Sequence, residues 1–499
     1  MKKLFGLIVL ILALSCSEEP IPVDNKQDNT GGQTTTPDSN NQTEPEVFDI
    51  SSIKDTYSEI ASFENRFKWG PHNVHDPAIF KDGDTYYSYS TDVAYGSAIR
   101  PGLQIRKSKD LIEWEFVGWV FNSIPAKGAA YITSKGAVPN NSLWAPYVLK
   151  HGDEYRLYYS LASNLGRVSV IGLAVAQTPI GPWVERNIVV GTDRSNSAQT
   201  NGIDPTVITI ADGKQYMYYG SAWDGLHMFE LNPDNGLNAN ANNRGDRIAH
   251  RGFTNGFVNG NIEGPEIIYN KELGYYYLFI AYDWLETKYN IRVGRSTSPT
   301  GPFLDYFGND INVKEDNAPM IVAPYRFDNH SGWQGVSHCA VFEDGTGQYY
   351  IAHQGRPGID KYFMNLHVRQ LHWTTDGWPI ASPERYAGVT QDAITKDELV
   401  GTFEFIDFKY TIVPGYANEQ LSPDFQDSVI IELDASGTID GNESYSWEYQ
   451  DGKLSLSYDN VNYELLVFRG RDWENNIEST VLFSGLNPQT AYAVWGKKQ

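Results

Sequence analysis

His75-Asp76-Pro77-Ala78-Ile79-Phe80-Lys81-Asp82-Gly83-Asp84-Thr85-Tyr86-Tyr87 contains an apolar run, a Gly turn and a tyrosine-rich run, in that order. Such a pairing reads as a β-hairpin whose first strand opens at Asp-Pro. The same order returns four times. Trp144-Ala145-Pro146-Tyr147-Val148 precedes Gly152 and Tyr158-Tyr159, and Asp204-Pro205-Thr206-Val207 precedes Asp212-Gly213 and Tyr218-Tyr219. Glu263-Gly264-Pro265-Glu266-Ile267 precedes Gly274 and Tyr275-Tyr276-Tyr277, and His338-Cys339-Ala340-Val341-Phe342 precedes Asp344-Gly345 and Tyr349-Tyr350. A third strand follows each hairpin, at 103–106, 173–176, 226–229, 291–294 and 366–369, and an outer fourth strand is hinted at by Trp114-Glu115-Phe116 and Trp183-Val184. Units repeating at roughly 60–75 residues without helical periodicity imply an all-β, five-bladed β-propeller, placed at residues 47–395. A β-sandwich has no need of so long and regular a repeat.

In a propeller the first strand of every blade lines the central channel. The opening residues, read in order, are Asp76, Ala145, Asp204, Glu263 and His338. Three acids and a histidine therefore converge on one face from different blades. An Asp-Pro pair alone is an ordinary turn. Three carboxylates at the same point of a repeat repel one another and shift each other's pKa, which folding does not require and glycoside hydrolysis does. Glu266 competes with Glu263. Strand alternation sends 264 and 266 to one side and 263 to the other, which favours Glu263 at the mouth.

The chain of 499 residues is long enough for two or more domains. After Trp373-Thr374-Thr375-Asp376-Gly377-Trp378-Pro379 the pattern changes to short alternating runs at 429–433, 445–449, 453–456, 463–468 and 481–484. Residues 396–499 are thus expected to form a small antiparallel β-barrel or sandwich. At the other end, residues 1–15 carry two lysines and a short apolar run, as a signal peptide does. Ala13-Leu14-Ser15-Cys16 resembles a bacterial lipobox, with Ala13 where Leu is usual, so a lipid anchor on Cys16 is expected. Residues 16–46 are polar and bear Pro and Gly, the composition of a flexible tether. The formal net charge is −23, which opposes binding to nucleic acid and makes a neutral glycan an easier substrate than a strongly anionic one. Cys16 and Cys339 are the two cysteines, too few for a disulfide framework.

Over residues 67–385 the chain resembles glycoside hydrolase family 43, and within it the two-domain endo-1,5-α-L-arabinanases. The resemblance rests on the order and spacing of several stretches: His75-Asp76-Pro77, Ser108-Lys109-Asp110-Leu111 with Trp114, Trp144-Ala145-Pro146, Asn201-Gly202-Ile203-Asp204-Pro205, Gly220-Ser221, Glu263-Gly264-Pro265, Gly301-Pro302-Phe303 and Asp376-Gly377-Trp378-Pro379. It implies inverting hydrolysis of arabinan, or of the arabinan side chains of pectin. Asp76 would be the general base and Glu263 the general acid, while Asp204 would orient the acid and raise its pKa. It further implies that His338 helps hold a metal ion, often calcium, in the channel. His75, Asn201 and Ser221 would contact sugar hydroxyls, and Trp144 would offer a stacking platform. The expected protein is a monomer exported to the outer membrane and cell surface. An exo-acting α-L-arabinofuranosidase or β-xylosidase of the same family is the nearest alternative. A non-catalytic glycan-binding protein is the alternative of another class.

Overall fold

The structure, a computed structural model, describes residues 48–93, 99–195, 200–241, 243–254, 257–258, 260–313, 316–411 and 420–499. The signal-peptide, Cys16 and tether expectations lie outside them. Strands dominate. The first sheet runs His75–Asp82, Thr85–Thr91, Gln104–Ser108, Glu115–Trp119, and the second Trp144–His151, Glu154–Leu161, Ser169–Ala176, Val184–Thr192. The third holds Thr206–Thr209, Gln215–Tyr219 and Leu226–Asn232, with Leu237–Asn238 and Asp246–Ala249 both paired to the last of these. The fourth is Ile262–Asn270, Tyr275–Tyr282, Asn290–Ser296, Met320–Val322. Neighbouring strands within each of these four sheets pair antiparallel, in the propeller-like manner expected.

The fifth repeat departs from expectation. Its strands Ala340–Glu343, Tyr349–Pro357, Asn365–Trp373 and Pro379–Ala381 belong to a seven-stranded sheet rather than a separate blade. The cause is the length of Tyr349–Pro357. Its first part pairs with Ala340–Glu343, and its end, Arg356 and Pro357, pairs with Trp333–Gln334. From there the sheet continues to Tyr325–Arg326 and to Gln426–Asp427. A nine-residue helix, Ala126–Ser134, was also not foreseen; it packs on the outer strands of the second sheet.

Apolar layers fill the spaces between successive sheets. Tyr89 and Ile105 meet Leu157 and Leu161, Leu173 meets Val207 and Phe229, and Tyr218 and Met228 meet Leu278 and Ile280. Phe279 and Val293 meet Val341 and Ile351, and Val74 and Tyr86 meet Tyr350 and Val368, so the last layer returns to the first sheet. Truncating one of these fully buried side chains, such as Leu157→Ala, costs about 2–5 kcal/mol because the rigid neighbours cannot close the gap.

The residues that open the inner strands share an uncommon backbone. φ is +48° at Asp76, +32° at Ala145, +60° at Asp204, +57° at Gly264 and +55° at His338. A left-handed pose costs a non-glycine residue about 1–3 kcal/mol and persists only where surroundings fix it. Here the preceding sheet does so. The N–H of Ala145 donates to Thr91 Oγ1 (2.9 Å), that of Asp204 to Ser160 Oγ (3.0 Å) and that of Gly264 to Asp204 Oδ2 (3.2 Å). The N–H of Asp76 donates to Gln354 Oε1 of the last sheet (3.1 Å), which ties the end of the ring to its start.

The C-terminal strands close into an eight-stranded barrel: Gly401–Asp407, Val429–Leu433, Thr438–Ile439, Asn442–Gln450, Lys453–Tyr458, Val461–Asp472, Ile477–Leu486 and Ala493–Lys498. Its side chains Ile406, Leu486 and Trp495 join the same apolar layer as Tyr325, Trp333 and Ile380. Beside that layer the buried Lys497 ammonium sits among Glu384 (3.0 Å), Asp472 (2.9 Å) and Glu474 (2.6 Å).

Candidate active site

All eight side chains singled out from the sequence line one cavity of about 620 Å³: His75, Asp76, Trp144, Asn201, Asp204, Ser221, Glu263 and His338. The register between them is corrected by one residue. The fourth opening, by its backbone, is Gly264 and not Glu263. A Cβ at 264 would stand 3.1 Å from the His338 ring, so only glycine fits there comfortably. The acid is supplied from the residue before, and the ladder is interrupted between Glu263 and Glu266 to allow it.

Asp76 is enclosed by donors. Its Oδ1 lies 2.8 Å from His75 Nδ1 and 3.0 Å from His338 Nδ1, and its Oδ2 accepts from the Thr91 hydroxyl at 2.8 Å. A carboxylate has about four acceptor positions, so one remains, on Oδ2. Burial alone would raise this carboxyl, but His75 and His338 hold it well below its ordinary value. The histidines divide the work. Burial keeps His75 neutral, and Arg356 donates to its Nε2 at 3.0 Å, which leaves the proton on Nδ1, toward Asp76. Burial would also lower His338, yet Asp76, Asp204 and Glu263 together push it up to about 10, so it is an imidazolium.

Glu263 is held from both sides. Ser221 Oγ donates to Oε2 and the Tyr289 hydroxyl to Oε1, each at 2.7 Å. Ser221 is positioned by bridges to Asn201 and to Glu263, and Asn201 Oδ1 accepts from Ser169 Oγ at 2.5 Å. Asp204 is the carboxyl whose own pKa is raised well above the usual range. Burial is the main cause, then the charges of Glu263 and Asp76, working against His338. Asp204 is therefore a carboxyl that keeps its proton to higher pH than an ordinary one.

Glu266 does not reach the cavity. It accepts from the Thr206 hydroxyl (2.8 Å) and the Val341 N–H (3.2 Å) between sheets, and burial pushes it up to about 7. Cys339 is buried, its thiol raised by burial. Trp144 lines the wall half-buried, its indole N–H donating to Ser142 Oγ at 3.0 Å; Trp223 and Trp284 face the same cavity. The sequence reading missed Thr91, Tyr289, Arg356 and Gln354. A polar residue four positions after the tyrosine pair, as after Tyr86-Tyr87 and Tyr349-Tyr350, is the signal that would have found Thr91 and Gln354; Tyr289 stands in no repeated pattern.

For a metal, His338 offers a single imidazole nitrogen beyond the one facing Asp76. Among the described residues, the group of three acids close enough to share an ion is Glu384, Asp472 and Glu474, which surround Lys497 instead. Calcium takes six to eight oxygen ligands, so water would supply nearly all of its shell at His338. The field of three carboxylates at that ring nonetheless favours positive charge there. The site fits a hydrated cation by charge, with one protein donor only once the His338 ring has given up the proton on the nitrogen facing away from Asp76.

Residues 70–379 match the model of glycosyl hydrolases family 43, and residues 383–496 match that of a C-terminal lipocalin-like domain. The chain is 30% identical to extracellular endo-α-(1→5)-L-arabinanase 2 of Bacillus subtilis, over 85% of this chain and 93% of that protein. It is 29% identical to the extracellular exo-α-(1→5)-L-arabinofuranosidase of Cellvibrio japonicus, over 62% of this chain and 86% of the other. Among solved structures it is similar to the endo-1,5-α-L-arabinanase of Thermotoga petrophila, with a TM-score of 0.72 and 26% identity over 87% of this chain and 99% of that one.

Proposed function

The chain belongs to glycosyl hydrolases family 43 and is a glycoside hydrolase, and from that premise we propose that it cuts α-1,5 links within arabinan chains, inverting the anomeric carbon. One observation carries the reading: an ionised carboxylate, Asp76, shares one cavity with a second carboxyl, Glu263, gripped by two hydroxyl donors. The single free acceptor position of Asp76 would take a proton from water as that water attacks. Glu263 would pass a proton to the leaving oxygen, and Ser221 and Tyr289 would then stabilise the carboxylate left behind. Asp204, tied to Gly264, would set the position of Glu263. His75 orients Asp76; Trp144, Asn201 and Ser221 would contact sugar.

Endo rather than exo action is favoured by the span of the likeness. The endo-acting relative matches both the propeller-like part and the barrel, whereas the exo-acting one covers 62% of this chain. We divide the chain into a propeller at 47–395, counting the strands from Ala340 to Ala381 as a fifth blade, and a barrel domain at 396–499. The extracellular relatives support export. A lipid anchor on Cys16, the outer-membrane surface and a monomeric state belong to the same proposal. So does calcium on the outer edge of His338, where it would take the place of a ring proton and supply fixed positive charge beside the carboxylates.

The test is a digest of linear 1,5-α-L-arabinan by residues 17–499, with products sized over time. Early oligosaccharides of mixed length support the proposal. Free arabinose alone replaces it with the exo reading. Binding without cleavage leaves a glycan-binding protein.

A further inference from the structure

The turn between the second and third strands of the fourth sheet forms part of the cavity wall through Asp283, Trp284 and Leu285. It then delivers Tyr289, whose hydroxyl holds Glu263. Its other side is bonded by Tyr410, Thr411, Gln420 and Asp424, which follow the barrel strand Gly401–Asp407. The Trp284 N–H donates to Gln420 Oε1 at 2.7 Å, and Gln420 Nε2 donates to Asp283 Oδ1 at 3.1 Å. The Thr287 hydroxyl donates to the Gln420 carbonyl at 2.6 Å. The Tyr410 hydroxyl donates to Asp283 Oδ2 and accepts from Arg251. Lys288 reaches the Thr411 carbonyl at 2.9 Å and Asp424 at 2.6 Å. Gln420 and Asp283 are buried, so these bonds do not compete with bulk water. A turn with Asp283 at φ +73° needs such outside support to keep one shape.

We infer that Gln420 and Tyr410 are positioning residues for the substrate wall: with Thr411 and Asp424 they fix Trp284 and Leu285 against the sugar and Tyr289 against Glu263. The inference rests on the proposed function for its substrate and on geometry for its mechanism. It gives the C-terminal part of the chain a share in the active site although it contributes no group to the chemistry. The Gln420 side chain bonds Trp284 and Asp283 directly, whereas Tyr289 is also tied through Lys288 to Thr411 and Asp424, so the consequence should fall mainly on substrate binding.

The experiment compares Gln420→Met and Tyr410→Phe with the parent chain; both keep the buried volume and remove the side-chain hydrogen bonds. Steady-state kinetics on linear arabino-oligosaccharides should show KM raised about tenfold with kcat changed much less. Thermal midpoints should stay close to the parent's. Hydrogen exchange followed by mass spectrometry should show faster exchange confined to peptides spanning residues 283–289. An unchanged KM together with unchanged exchange overturns the inference. So does exchange that rises throughout the protein with a matching fall in thermal midpoint, which marks a purely structural role. If the parent chain cleaves no arabinan, the functional proposal fails alone, and the exchange measurement still decides this one.

Discussion

The N–H of Gly264 donates to Asp204 Oδ2 at 3.2 Å, so the carboxyl of the third sheet grips the residue directly after Glu263. Asp204 thereby acts on its neighbour through backbone position as well as through charge. Asp204→Asn keeps an acceptor for that N–H but removes the ionisable carboxyl from beside Glu263. kcat is expected to fall about 10²-fold. Stability should move the other way. A carboxyl whose folded pKa is raised penalises folding once the pH passes its unfolded value, and the loss is complete above the folded one. The variant's thermal midpoint at pH 8 should therefore exceed the parent's; a lower midpoint would mean that the burial cost is not felt.

Asp76→Asn and Glu263→Gln should each lower kcat by about 10²–10⁴-fold with the fold intact. With the parent enzyme, proton NMR of the first minutes of a digest should show the β-anomer of the new reducing end before mutarotation. An initial α-anomer would point to a covalent intermediate and exclude Asp76 as a water-activating base.

Glu266 supplies a pH signature separate from catalysis. Its value rises from 4.5 to about 7 on folding, because burial outweighs the bonds from Thr206 and Val341. Below pH 4.5 both states are protonated and nothing is lost. Between 4.5 and 7 the unfolded chain ionises first and stability falls, by roughly 2–4 kcal/mol in all. Glu266→Gln should remove that decline. Urea unfolding of both proteins at pH 5 and pH 7.5 reads the difference, and parallel losses in the two would discard the assignment.

Calcium is tested by removal. Dialysis against a chelator should reduce kcat, and calcium should restore it in the parent but not in His338→Ala. Full activity after chelation would leave the imidazolium of His338 as the cation the carboxylates require.

Hairpin turns, tyrosine-rich strands and the three carboxylates were legible because each rests on local spacing. What escaped depends on contacts between distant segments. The alignment of Glu263 with Asp76 and Asp204 failed by one residue because the size of the His338 ring, 74 positions away, dictates glycine at 264. Tyr289 and Arg356 act on the site through single side-chain bonds that leave no periodic trace. The seven-stranded sheet was hidden because it recruits Gln426–Asp427 from beyond the repeats. The barrel's first, third and last strands were missed as well: Thr438–Ile439 has two residues, too few to show alternation.

The left-handed pose repeated at Asp76, Ala145, Asp204, Gly264 and His338 separates scaffold from chemistry. In the first four its anchoring bond comes from the residue's own backbone N–H to a side chain of the sheet before it, so the pose does not depend on the group carried. The positions then behave as interchangeable sockets around an axis. An acid, a base or a blank can be exchanged at one without rebuilding its neighbours, except at Asp204, whose carboxyl anchors Gly264, and at 264 itself, where the His338 ring leaves no room. Ala145 is the blank socket. It is where an engineer, or evolution, could add a functional group to this site at least structural expense.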